Sequence, residues 1–492
     1  MASAESSTPL SRVKHELGLF VDISGEADVV QRELHAVCAA ILGASWAAVP
    51  LEALQFTAVS GGITNALYKV TASDVSVTPH AALVRVFGLK TEVLIDREAD
   101  NRTFTLMGEY GFGPRCFGIF GNGRVEQWLN ARPLAPSEMG QREPRDMASG
   151  IASVVASLHM IDFPAAKQPV LWKVRPPPTR QRARARFCAL HGDVCVASAR
   201  AALQSLLKWF DMAATATFAS GEASIDAAKA RLYEQLNIPA IEHELRWMQS
   251  VLPSAENGHG ADLLRAYDAL PESEREARRA AAQLMYDVVF AHNDLLSGNI
   301  LLEMKDMHDK SAMAPTPTEE GMTPGARLRV IDFEYGAYNY RGFDVANHFC
   351  EHAGFDFDLE RWYPAPDLQR HWFQVYTTKL ARGGAGVPAP LMEQEAFWDE
   401  LYLVANRFAL ASHYWWGLWA IVQAQHSAID FDFLGYCIMR FKGYEKHKHQ
   451  FFGGQPEAVL VKRSATHQSR RRLSSIAHSY DTHDADYVAK PS

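Results

Sequence analysis

The 492-residue sequence lacks the marks of several large protein classes. Its six cysteines (Cys38, Cys116, Cys188, Cys195, Cys350 and Cys437) form no CxxC pair. That pattern argues against a disulfide framework or a zinc finger and predicts reduced intracellular thiols. The N-terminal stretch MASAESSTPLSRVKHELGLF has no apolar core of signal-peptide length, so a cytoplasmic protein is expected. No G-x4-G-K-[ST] occurs, which excludes a Walker-type phosphate loop. There is no excess of basic residues: the formal net charge is -8, with carboxylates spread along the chain. No nucleic-acid partner is expected. One long run, Phe408–Ile429, carries no Lys, Arg, Asp or Glu. It contains Ser412, His413, Gln423, Gln425, His426 and Ser427, too polar for a membrane span, and reads as a buried helix. No stable membrane insertion is expected, and no internal repeat is present.

What is there is ordinary globular material, 48% hydrophobic and 22% charged, enough for two or three structural units. Residues 26–43 have helical spacing in Val29, Leu34, Val37 and Ile41, with Gly43 as the stop. Strand-like runs follow at Gln55–Val59, Ala66–Val70, Leu83–Phe87, Arg115–Ile119 and Val125–Leu129, with a helix over Thr103–Tyr110. Five strands and a helix in this order predict a small, mostly antiparallel lobe over 28–130, after an N-terminal extension, 1–27. From 131 to 455 the pattern is mainly helical, opening with an amphipathic helix on Met147, Ile151, Val154, Val155 and Leu158. Long insertions are read near 175–230, beginning with the Pro- and Arg-rich RPPPTRQRARAR, and near 303–327, a disordered loop. Residues 456–492 read as a disordered tail, in which Arg470–Arg472 before Ser474 and Ser475 resembles a site for basophilic kinases.

The strongest signal is Val288-Val289-Phe290-Ala291-His292-Asn293-Asp294, then Asn299 five residues after the aspartate, closed by Ile300-Leu301-Leu302. Later comes Leu328-Arg329-Val330-Ile331-Asp332-Phe333-Glu334-Tyr335. Strand, polar loop, strand, spacer, strand and aspartate make the catalytic half of a kinase-like site. Phosphoryl transfer asks a protein for positioning and charge neutralisation. Asp294 suits the carboxylate beside the attacking hydroxyl. Asn299 and Asp332 offer the oxygens that magnesium prefers. His292 is read as bracing backbone. Ser60-Gly61-Gly62-Ile63-Thr64-Asn65, between two strands, is the candidate nucleotide loop: glycine lets backbone N–H groups approach phosphate, and Ser60, Thr64 and Asn65 add donors. Arg85 stands where protein kinases place a phosphate-binding lysine, with Asp100 expected as its acidic partner ahead of Asp96 and Glu98. Tyr414, Trp415, Trp416 and Trp419 cluster on one helix, with Phe431, Phe433 and Tyr436 beyond. Trp416 and Trp419 share a face and could hold a cation against Tyr335 or Tyr436.

These segments resemble the choline/ethanolamine kinases from about residue 28 to about 450. The family's Brenner-type motif is similar to Phe290–Leu302, and its own signature to IDFEYGAYNYRGFDVANHFCEHAG, Ile331–Gly354. The resemblance implies an α+β, bilobal protein-kinase-like fold with a small antiparallel-sheet N-lobe and a large helical C-lobe. It implies ATP and Mg2+ as cofactors, Asp294 as base, Asn299 and Asp332 as metal ligands, and Arg85 with Ser60–Asn65 (Gly61, Gly62 and Thr64 among them) on ATP. It places Glu351 beside the substrate ammonium and Tyr335, Trp416, Trp419 and Tyr436 around it. The expected reaction is phosphorylation of ethanolamine, the first step of the CDP-ethanolamine route to phosphatidylethanolamine, on a small amino-alcohol partner; a homodimer is allowed. Choline or dual specificity is the alternative, then another small hydroxyl compound such as an aminoglycoside, and last an inactive scaffold. GGITN and Glu351-His352-Ala353-Gly354 resemble ethanolamine kinases, whereas RGFD and His348-Phe349-Cys350-Glu351 are shared more with the choline side. Choline kinases typically carry tryptophan where His352 stands. That exchange is expected to remove apolar wall and leave room for polar groups beside the amine.

Overall fold

The computed structural model of the protein describes residues 13–59, 65–88, 96–143, 146–172, 205–304, 326–427, 429–454 and 459–462. Ser60, Gly61, Gly62 and Thr64, the RPPPTRQRARAR segment, residues 305–325 of the expected loop and the Arg470–Ser475 tail lie outside the described residues. The chain divides into two compact units. The first takes Met1–Pro133, Gly298–Glu319 and Pro324–Tyr335; the second takes Leu134–Ser297, Glu320–Thr323 and Gly336–Ser492.

Alternating apolar residues build the sheet of the first unit. Strands β1 (Lys14–Glu16), β2 (Leu54–Val59), β3 (Asn65–Ala72), β4 (Ala81–Phe87), β5 (Cys116–Phe120) and β6 (Gly123–Gln127) lie in the order β1-β5-β6-β4-β3-β2. Every pairing is antiparallel except β1 with β5. Val70, Ala72, Ala82, Val84, Val86 and Val125 are buried in its core. Helix α1 (Ala27–Leu42) lays Val30, Leu34, Val37, Cys38 and Ile41 into that core and stops at Gly43, whose φ of +94° suits glycine alone. Each such aliphatic side chain contributes roughly 1.5–3 kcal/mol when fully buried. The helix comes so close that a Cβ on Gly118 would sit 2.5 Å from Ile41 Cγ2. Strand β1 lies in the stretch that the sequence reads only as an N-terminal extension. Its Lys-His-Glu side chains carry no hydrophobic alternation, and it joins the sheet edge through backbone register, Lys14 opposite Gly118. Helix α2 (Arg97–Glu109) is capped by Asp96, which accepts from Glu98 N and Ala99 N at 3.2 Å.

Strands β7 (Ala131–Pro133), β9 (Ile300–Met304) and β10 (Ala326–Val330) form a second sheet of the first unit, whereas β8 (Val288–Ala291) pairs antiparallel with β11 (Ala337–Tyr340) in the second. The rest of the second unit is helical. Its longer described helices include α3 (Met147–His159), α4 (Glu272–Tyr286), α5 (Arg341–Glu351), α6 (Pro366–Arg382), α7 (Glu395–Arg407), α8 (Ala409–His426) and α9 (Phe433–Phe452). The sequence reads α3 as amphipathic; the structure buries all of it. Ser149, Gly150, Ser153 and Ser157 are small enough for neighbours to close over that face, and α6 does so. Helix α8 is buried from Ala409 to Ala424, as the charge-free run requires. No described helix is long and apolar enough to cross a membrane. Part of the region read as an insertion belongs to the core: in the helix Leu206–Ala214, Trp209 packs on Trp415 with ring centroids 4.6 Å apart.

The expected loop 303–327 is shorter than the sequence suggests, because β9 and β10 stay paired out to Met304 opposite Ala326. Arg329 also binds Glu303 at 2.9 Å. The strand ends are therefore held together without the intervening residues, and loop-closure entropy changes slowly with length. Replacing 305–325 by a short Gly/Ser turn is expected to keep kcat/KM within several-fold. A hundredfold loss in a protein with unchanged melting temperature would assign those residues to the reaction.

Candidate active site

The first unit buries a chain of alternating charges. Arg85 on β4 lies directly across from Arg124 on β6. Two like charges in that register need an anion, and Glu126 supplies it: Arg85 Nε and Arg124 Nε both donate to its Oε1 at 2.7 Å. Arg124 reaches on to Asp100 Oδ2 at 2.9 Å and lies over the Phe104 ring, 3.9 Å from its centroid. Arg97 meets the same Asp100 oxygen at 3.5 Å and donates to Asn65 Oδ1 at 3.2 Å. Asp100 was the acid expected for Arg85. It serves Arg124 instead, because β6 puts Glu126 closer to Arg85. Burial disfavours the Arg85 charge, but Glu126, Asp332 and Asp100 outweigh it and hold its pKa above the ordinary value. Burial likewise opposes ionised Glu126, and the two arginines overcome it, keeping that carboxyl below its usual range.

The same unit holds both expected metal ligands. Ile331 N donates to Asn299 O at 3.0 Å, which brings the backbone of Asn299 beside the residue preceding Asp332. Asp332 adopts a φ of +64°, uncommon outside glycine and a form of strain concentrated at functional sites. Its side chain is 27% exposed, and Arg85 Nη1 stands 4.0 Å from its Oδ2. Burial drives the neighbouring Glu334 carboxyl well above its usual range, and the negative charges of Asp332 and Asp100 add to the effect. Crowded carboxyl groups suit a hard divalent cation, and the backbone of Asn299 runs beside them, so the residues present fit magnesium. Tyr335, expected near the amine, is buried in the 3-10 turn Phe333–Tyr335 of this unit.

In the second unit the loop around Asp294 is over-determined. Asp344 of α5, fully buried, accepts from His292 N at 3.0 Å and Asn293 N at 2.7 Å. His159 Nε2 bonds the same carboxylate at 3.0 Å, and Tyr376 OH holds His159 Nδ1 at 2.6 Å. Burial opposes the charge on Asp344, but the His159 hydrogen bond and the loop amide outweigh it and lower its pKa. Asn293 is strained at φ +64°, and two amides clamp it: Asn339 Nδ2 donates to its Oδ1 at 2.8 Å and Asn347 Nδ2 to its backbone O at 3.3 Å. His292 Nδ1 accepts from Asp294 N at 3.2 Å, the bracing role read for it.

Asn347 also ties this loop to the aromatic helix. Its Oδ1 accepts from Trp416 Nε1 at 2.7 Å and from Ser412 Oγ at 2.8 Å. Trp416 and Trp419 meet edge to face, centroids 5.4 Å apart. Arg440 of α9 donates to Glu351 Oε1 at 2.9 Å, to Tyr436 OH at 3.2 Å and to Ser412 Oγ at 2.8 Å. Burial raises the Glu351 pKa against the opposing pull of Arg440. Burial, with the charges of Glu351 and Asp294 nearby, also lifts the Tyr436 hydroxyl well above its usual range. The second unit thus gathers Asp294, Glu351, Trp416, Trp419 and Tyr436. His352, the residue that follows α5, is buried with its ring 5.0 Å from His348 and 6.5 Å from Phe349.

Sequence reasoning missed Glu126, Arg124, Asp344, Asn347 and Arg440. Asp344 and Asn347 lie inside a recognisable signature and were within reach of it. A charged residue on a strand or helix otherwise reads as solvated.

A family model described as choline/ethanolamine kinase matches residues 56–445. A probable ethanolamine kinase of Arabidopsis thaliana is 31% identical over 390 residues, covering 79% of this chain and 78% of that one. A choline/ethanolamine kinase of Homo sapiens is 28% identical over 433 residues, covering 85% and 87%. Among solved structures, an ethanolamine kinase of Plasmodium vivax superposes with a TM-score of 0.54 at 20% identity, covering 85% of this chain and 89% of its own. A choline kinase of Cryptosporidium parvum gives 0.55 at 20%, covering 86% and 96%. These likenesses establish the protein-kinase-like fold.

Removing one member of a buried ion network leaves charges without partners. Glu126→Ala is therefore expected to lower the unfolding free energy by about 3–5 kcal/mol in a urea titration. A loss below about 1 kcal/mol would mean that Arg85 and Arg124 find other acceptors.

Proposed function

The chain belongs to the choline/ethanolamine kinase family, and from that premise we propose that it transfers the terminal phosphoryl group of ATP to the hydroxyl of ethanolamine. The observation that carries the reading is the braced loop in the second unit, which holds Asp294 among Glu351, Trp416 and Tyr436. Asp294 orients the hydroxyl and takes its proton as oxygen attacks phosphorus and the bond to ADP breaks. Asn299 and Asp332 hold magnesium, which when bound neutralises charge on the phosphate oxygens. Arg85 and the Ser60–Asn65 loop bind nucleotide phosphates, and Asp100 acts through Arg124 and Arg97 to keep that wall in place.

Glu351 faces the substrate ammonium, with Trp416, Trp419 and Tyr436 giving cation–π attraction. A primary ammonium brings three N–H donors that need acceptors when buried; a trimethylammonium brings none and needs apolar surface on every side. Carboxylate and hydroxyl oxygens in this wall favour the former. The aromatic side chains keep choline as a second substrate, as the name of the human relative suggests. The product enters the CDP-ethanolamine route to phosphatidylethanolamine, in the cytoplasm.

Asp294→Ala is expected to lower kcat by roughly 10²–10⁴ in a folded protein, and Asp332→Ala to abolish magnesium-dependent turnover. Near-normal kcat in folded Asp294→Ala would refute the assignment. Measured under identical ATP and magnesium, kcat/KM should favour ethanolamine over choline by roughly tenfold to a hundredfold. A ratio at or below one makes choline the preferred substrate.

A further inference from the structure

Three helices of the second unit bring together side chains that the phosphoryl-transfer reading does not use. Cys350 is on α5, His413 on α8 and His447 on α9, all buried. Cys350 Sγ lies 4.0 Å from His413 Nε2, and His413 Nε2 lies 3.0 Å from His447 Nδ1. The three ligand atoms all fall within 4.8 Å of one another. Among the described residues this is the group of three or more such side chains that converges in this way. His413 makes its polar contacts through Nε2 alone, since its Nδ1 is buried without a hydrogen-bond partner.

We propose that Cys350, His413 and His447 form a binding site for a borderline-soft divalent cation of the zinc type, with water as fourth ligand. One thiolate and two imidazoles are a common ligand set for such an ion, and magnesium would reject it. Metal–sulfur bonds of about 2.3 Å and metal–nitrogen bonds of about 2.0–2.1 Å in a tetrahedron separate S from N by about 3.5 Å and N from N by about 3.4 Å. Closing Sγ onto His413 by about 0.5 Å, opening the histidine pair by about 0.4 Å and bringing Sγ from within 4.8 Å of the His447 nitrogen to about 3.5 Å reaches that geometry. Rotation of the three side chains supplies moves of this size.

The surroundings suit the chemistry. Burial keeps His413 well below, and His447 down to about 3 from, the ordinary imidazole value, so both are neutral and able to donate a lone pair. Burial raises the Cys350 thiol to about 12, against Arg440 and Ser412, which favour the thiolate. Binding therefore releases one proton, from Sγ to solvent, and the metal takes its place. The adjoining Arg440–Glu351 pair is neutral as a unit. Tyr363, 4.5 Å from the His447 ring, Phe357, 5.5 Å from His413, and Phe451, 5.5 Å from His447, wall the site with aromatic surface. A bound ion would tie together the helices that carry Glu351, Trp416 and Tyr436, so the site braces the amine wall from behind.

The test uses untagged full-length protein, stripped with a chelator and titrated with Co²⁺ in excess magnesium. One equivalent should bind per chain, with intense tetrahedral d–d bands and a thiolate-to-cobalt charge-transfer band, and Zn²⁺ should displace it. Cys350→Ser and His447→Gln should each weaken binding by more than about a hundredfold. Absence of a one-equivalent site in the native protein, or an unchanged charge-transfer band in folded Cys350→Ser, would overturn the proposal. Should the variants not fold, X-ray absorption of the zinc-loaded native protein decides: a shell of one sulfur with nitrogen and oxygen supports it, and a shell without sulfur overturns it.

Discussion

The structure of the second unit turns on one buried carboxylate. Asp344 accepts two consecutive backbone N–H groups of the loop that presents Asp294. A loop at that depth has no water to satisfy its amides, and leaving two unmet would cost about 1–3 kcal/mol each. The carboxylate in turn must be kept ionised where burial disfavours charge, which is the work of His159. His159 is oriented by Tyr376, and Tyr376 by Arg341. The strained backbone of Asn293 persists because this chain and the two amides of Asn339 and Asn347 over-determine it.

The first unit solves a similar problem with a different device. Two arginines stand opposite each other in adjacent strands, and a shared glutamate oxygen converts their repulsion into a bridge. Arg85 is thereby fixed by Glu126 at one end while its Nη1 approaches Asp332 at the other. A lysine could not do both: the guanidinium carries donors in a rigid fork, whereas an ammonium is a point charge on a flexible stem. Pre-organisation of this kind suits a group that must meet phosphate oxygens without reorganising first.

Much of this was legible in the sequence, and for identifiable reasons. The Asp294–Asn299 spacing, the Ile331–Tyr335 run and the alternation of β4 are local, so they read directly. Residues whose meaning lies in a distant partner did not. Arg440 is one turn beyond Tyr436 and looks like a surface cation until Glu351, 89 positions earlier, is seen against it. The cysteines read as unconnected thiols because metal-site spacing is sought along the chain. Cys350 meets His413 at 63 positions and His413 meets His447 at 34, separations no motif encodes. Strand β1 escaped for the opposite reason: it is held by backbone pairing, which leaves no side-chain pattern.

Helix α5 shows why a substitution cannot be read from its sequence neighbour. Cys350, Glu351 and His352 leave the helix toward three different environments: the buried histidines, Arg440, and the rings of His348 and Phe349. In the proposed reading selectivity rests on Glu351, whose carboxylate already has a resident cation in Arg440. A carboxylate shared with a guanidinium offers an incoming ammonium less net attraction than an unpaired one. The remaining discrimination must come from groups that tell N–H from methyl: hydroxyl and carbonyl acceptors on one side, ring faces on the other. Tyr436 supplies both, since its ring joins the aromatic group of Phe355, Phe357 and Phe431 while its hydroxyl bonds Arg440. Arg440 bonds that hydroxyl and Glu351 together, so in the proposed reading a buried arginine that does not itself attract the substrate shapes the polar part of the wall an amine would meet.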